Sequence, residues 1–88
     1  MPILSMFYGI IVKMYKENSG KHNIPHIHAE YSGDEVSVSL DGEILEGGLP
    51  KSKMRMLLAW IEIHRDELEA NWKMLSDGMN IITIDPLK

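Results

Sequence analysis

IPHIHAEYSGDEVSVSLDG, residues 24–42, changes character at almost every second position. Ile27, Ala29 and Tyr31 alternate with His26, His28 and Glu30. After Ser32-Gly33-Asp34, the apolar Val36, Val38 and Leu40 alternate with Glu35, Ser37, Ser39 and Asp41. A strand sends successive side chains to opposite faces, so both segments read as β-strands with one buried face. Pro25 biases Ile24 to an extended backbone, which places the start of the first strand. Asp41-Gly42 is a two-residue hairpin signal ahead of Glu43-Ile44-Leu45-Glu46.

Working outward, Tyr8–Lys16 is rich in β-branched and aromatic residues and reads as an earlier strand, followed by a polar loop over residues 17–23. Downstream, Gly47-Gly48-Leu49-Pro50 breaks the alternation, and the apolar residues switch to helical spacing at Met54, Leu57, Leu58, Ile61, Leu68, Trp72 and Leu75. An unbroken helix over 51–77 would be about 40 Å long. A domain of this size should be only about 31 Å across. A bend near His64 to Asp66 resolves the conflict, with Asp66 and Glu69 resembling a capping pair for a second helical segment. Gly78 is a natural stop, and Asn80–Ile84 reads as a short last strand. The expected fold class is therefore α+β: an antiparallel sheet of four to five strands backed by one long or bent C-terminal helix, in a single domain over residues 1–88.

Composition narrows the function classes. Apolar residues make up 44% and charged residues 25% of 88 residues, an ordinary globular balance. No apolar run is long enough for a transmembrane helix. Met1-Pro2-Ile3-Leu4-Ser5 has no basic region ahead of an apolar stretch, so a cytoplasmic address and no membrane partner are expected. The absence of cysteine removes disulfides, thiolate nucleophiles and Cys-type zinc sites, leaving imidazole and carboxylate as the good metal ligands. Residues 29–88 carry six bases against twelve acids, which disfavours nucleic-acid binding by the whole surface. No phosphate-cradling Gly-rich loop, nucleophile triad or His-Glu-x-x-His motif is present.

His26, His28 and Glu30 share one face of one strand, their β-carbons roughly 7 Å apart between neighbours. Two chemical readings follow. In one, His26 and His28 hold a divalent metal with help from Glu30 or His22; in the other they act without metal as acid and base on an RNA phosphodiester. Equally, the three are the polar face of an amphipathic strand. His64 lies in the apolar helical stripe, where an imidazole bonded to backbone or to Glu67 is the plainer account; packing against the sheet edge would instead bring it to the catalytic candidates His26 and His28. Lys51, Lys53 and Arg55 crowd the first helical turn, where the macrodipole disfavours positive charge, and with Lys21 they form a candidate phosphate-backbone contact. Trp60 and Trp72 serve as core or as partner-facing anchors.

These stretches also carry a resemblance. Pro2-Ile3-Leu4-Ser5 with Phe7-Tyr8-Gly9-Ile10, Pro25-His26-Ile27-His28-Ala29, Leu45-Glu46-Gly47, Trp60 through Leu68 with its Trp-x-x-x-His spacing, Asn71-Trp72 and Ile84-Asp85-Pro86-Leu87 follow one another as in a family of small prokaryotic domains of unknown function, the family numbered 4160. Where that family often has two prolines before His-Phe-His, this chain has Ile24-Pro25 and Ile27. The resemblance implies a bacterial protein encoded beside a second small protein, in pairs proposed as toxin-antitoxin modules, with no settled activity. Three functions are thus expected to compete: an RNA-directed member of such a module, a non-catalytic protein-binding member, and a small metal-binding domain. Homo-oligomerisation stays open.

Overall fold

A computed structural model describes residues 3–15 and 24–87. The expected loop over residues 17–23, with Lys21 and His22, lies outside the described residues. Five strands, β1 (Ile3–Phe7), β2 (Ile10–Lys13), β3 (His26–Tyr31), β4 (Asp34–Ser39) and β5 (Ile44–Gly47), are followed by α1 (Lys51–Ile63) and α2 (Arg65–Ser76). The sheet is an antiparallel meander in the order β1-β2-β3-β4-β5, so the class is α+β as the patterning indicates.

Alternation governs β3 and β4 as read. Val12, Ala29 and Val36 line up across three strands, and Ile27 opposes Val38; all five are buried. This face joins Met54, Leu57, Trp60, Ile61 and Leu68 from the helices in one core, with the Phe7 and Trp60 rings 5.4 Å apart.

The N-terminal strand differs from its sequence reading. Of the strand read from Tyr8 onward, β2 covers Ile10–Lys13, but Tyr8 and Gly9 are a turn where the chain reverses, with φ of 49° and 81°. Two consecutive left-handed residues make the type of turn whose twist matches a hairpin. Gly9 is needed twice over: its φ is positive, and a β-carbon there would stand 3.0 Å from Tyr31 Cε1. The connection after β4 is also longer than the two residues Asp41-Gly42. It runs from Leu40 to Glu43, with the Ser39 hydroxyl accepting the Glu43 N–H at 3.0 Å.

There are two helices rather than one long helix, because the backbone departs from helical geometry at His64 (φ −108°, ψ 22°). The hydrogen-bond ladder continues through the bend, from His64 N–H to the Trp60 carbonyl and from Leu68 N–H to the His64 carbonyl. Asp66 and Glu67 sit in the first turn of α2, where the helix dipole favours negative charge. Bending lets both helices lie within a molecule whose longest extent is 34 Å. Gly78, at φ 80°, closes α2 as expected: its N–H meets the Leu75 carbonyl and the Met79 N–H meets the Met74 carbonyl.

Asn80–Ile84 is not a strand; residues 79–87 are irregular. Ile84 N–H reaches the Leu4 carbonyl of β1 at 2.8 Å, but the Ile82 N–H goes to the side-chain oxygen of Asn71 at 2.6 Å. An amide that a ladder would use is held by a buried helix side chain. Trp60 Nε1 donates to the Asp85 carbonyl at 2.8 Å and fixes the end of this tail.

Candidate functional site

The face of the sheet opposite the core carries the chemistry-bearing residues. Register places Lys13, His28, Ser37 and Glu46 in one row across four strands, His26 beside Ser39, and Glu30 beside Glu35. As alternation requires, the imidazoles of His26 and His28 project the same way, their centroids 5.0 Å apart in an edge-to-face arrangement.

The two rings have different surroundings. His26 is 1% exposed, and its ring lies 5.3 Å from that of Trp72 on α2. Its Nδ1 lies 2.7 Å from the Ile24 carbonyl oxygen. A carbonyl only accepts, so Nδ1 carries a proton and donates it to this oxygen. His28 is half-buried; it stacks on Tyr15 at 4.4 Å with 9° between the planes, and its Nδ1 lies 3.1 Å from the Ser37 hydroxyl. His26 shares the outer face with His28, but its ring is shielded from water there, with the Trp72 ring packed 5.3 Å from it.

Glu30 turns to Lys13, whose Nζ is 2.5 Å from its carboxylate. That hydrogen bond raises the Lys13 pKa above the usual 10.5. Among the described residues no group of three or more His, Asp or Glu side chains is arranged to hold a metal ion. His22, the proposed further ligand, lies outside the described residues.

The remaining described candidates sit on α1 or at the bend between the helices. His64 is half-buried at the helix bend, its Nδ1 2.6 Å from Glu67 and its ring 5.5 Å from that of Trp60. The Glu67 partnership anticipated from helical spacing is therefore present. Lys51 and Arg55 are exposed, but Lys53 donates to the Tyr8 carbonyl at 2.9 Å and lies 4.8 Å above the Tyr31 ring, so it ties α1 to the first hairpin. Lys21 lies outside the described residues. Trp60 is wholly buried and belongs to the core; Trp72 is only half-buried.

Sequence reasoning missed three members of the histidine environment: Tyr15, Ser37 and Trp72. Ser37 was within reach, because counting back from a two-residue Ser32-Gly33 turn sets Ser37 opposite His28 and Ser39 opposite His26. Trp72 had no such signal, being 46 residues from His26 along the chain.

A family model described as a domain of unknown function, DUF4160, matches residues 9–73. The chain belongs to the DUF4160 family. The match runs from the Tyr8-Gly9 turn to one residue beyond Trp72, so β2 to β5, the helix bend and the histidine face all lie inside the DUF4160 domain. No curated protein and no solved structure matches the chain. Among the described residues of this DUF4160 domain, no helix is long and apolar enough to cross a membrane.

Proposed function

We propose that this DUF4160 domain is a non-catalytic protein-binding member of a two-protein bacterial module of the toxin-antitoxin type. The observation that carries this reading is the burial of His26. An acid-base pair acting on a phosphodiester needs both groups within hydrogen-bond reach of the substrate. A ring that is 1% exposed, with one nitrogen committed to a backbone carbonyl, serves the fold instead. Lys53 is likewise spent on the Tyr8 carbonyl rather than held out for phosphates. The surplus of acids over residues 29–88 suits a basic protein partner better than a nucleic acid.

A second reading, RNA cleavage through His28 and His26, keeps the support of their common direction and 5.0 Å separation. Co-expression with the small protein encoded alongside separates the two. A stable complex on size exclusion, with no growth defect from this chain alone, is the expected result. Growth arrest and RNA cleavage that disappear in a His28→Ala variant with unchanged circular dichroism would replace the binding reading with the catalytic one.

A further inference from the structure

Beside Trp72, where the connection between β4 and β5 faces the middle of α2 at Glu69 and Trp72, a cleft of about 380 Å³ opens. Pro25, Leu40 and the Trp72 ring give it apolar walls, and Asp41, Glu43 and Glu69 supply three carboxylates. Its volume is that of pockets holding small ligands or single side chains. Arg65 hydrogen-bonds Asp41 Oδ1 and lies 3.4 Å from Glu69 Oε2, so one guanidinium already bridges two of the three carboxylates. With Arg65 counted, the formal charge around the cleft is still negative, three acids against one base.

We propose that this cleft receives an arginine side chain presented by a partner polypeptide. The proposal rests on the protein-binding reading and names the chemistry of the partner. An aliphatic stem fits the Pro25 and Leu40 walls, a planar cation stacks favourably on an indole face, and a guanidinium forks to carboxylates. A phosphate would be repelled by the rim. A small divalent cation needs its ligands converged, and the carboxylates form no such group among the described residues. The chain itself shows that Asp41 and Glu69 accept a guanidinium.

The test is a nuclear magnetic resonance titration of the full chain with N-acetyl-arginine-N-methylamide, against the norleucine and glutamate counterparts. The arginine probe alone should shift the Trp72 indole and Glu43 amide signals saturably, leaving the buried Trp60 indole unmoved. Binding should weaken with salt, and about three- to tenfold in a Glu43→Gln, Glu69→Gln variant. Equal shifts from norleucine, none from arginine, or the same shifts from calcium chloride alone would each overturn the proposal. In the co-expression experiment, a complex that survives the double variant unchanged overturns the arginine cleft while protein binding stands. An arginine-selective cleft without any complex supports the cleft and removes the two-protein reading.

Discussion

Replacing His26 with alanine tests most directly whether the histidine face is structural. The His26 Nδ1–H donates to the Ile24 carbonyl at 2.7 Å, but Ile24 is 46% exposed and its carbonyl can turn to water, so the hydrogen bond contributes at the lower end, about 1 kcal/mol. The ring, 1% exposed and packed 5.0 Å from His28 and 5.3 Å from Trp72, leaves a void when truncated. Buried aliphatic truncations cost about 2–5 kcal/mol, and an imidazole, being more readily hydrated in the unfolded chain, falls near the bottom of that range. The two contributions together are about 3 kcal/mol, which in a domain of this length lowers Tm by roughly 12–24 °C. Thermal unfolding followed by far-ultraviolet circular dichroism, at fixed protein concentration and pH 8, reads this directly. His26→Leu, which keeps the volume and loses only the hydrogen bond, should recover more than half of the loss. A His26→Ala protein melting within about 2 °C of wild type would refute the reasoning, because the ring would then not be packed, and the catalytic reading of the pair would return.

Gly47 should be the least replaceable glycine of the sheet: at φ 75°, a β-carbon would stand 2.2 Å from the Glu35 carbonyl oxygen, a backbone atom that cannot swing aside. Gly47→Ala should therefore destabilise by more than the roughly 1 kcal/mol of an ordinary left-handed substitution, and loss of amide protection across β4 and β5 in hydrogen exchange would show where. The Lys13–Glu30 pair gives a pH dependence whose sign follows from the raised Lys13 pKa. Its contribution is fully present below the unfolded value of 10.5 and is lost as pH rises through the higher folded value. Denaturant melts of wild type and Lys13→Met should accordingly differ by a constant amount from pH 7 to 9 and converge only in alkali. A difference that already closes between pH 7 and 9 would contradict the pairing.

The alternation in residues 24–42 was enough to specify two adjacent strands and the common direction of His26 and His28, because side-chain direction in a strand depends only on position. The helical stripe, the bend near His64 and the Gly78 stop were legible for the same reason: periodicity, the limit of domain size and backbone stereochemistry all act locally or through length. The first hairpin was not, since tyrosine is not a residue that usually takes the positive φ it has at Tyr8. Tertiary packing alone decided the rest. Asn71 took the Ile82 amide and kept the tail from forming a strand, and Trp72 covered His26 while leaving His28 partly open. Periodicity gives the face a residue occupies; what covers that face comes from residues distant in sequence.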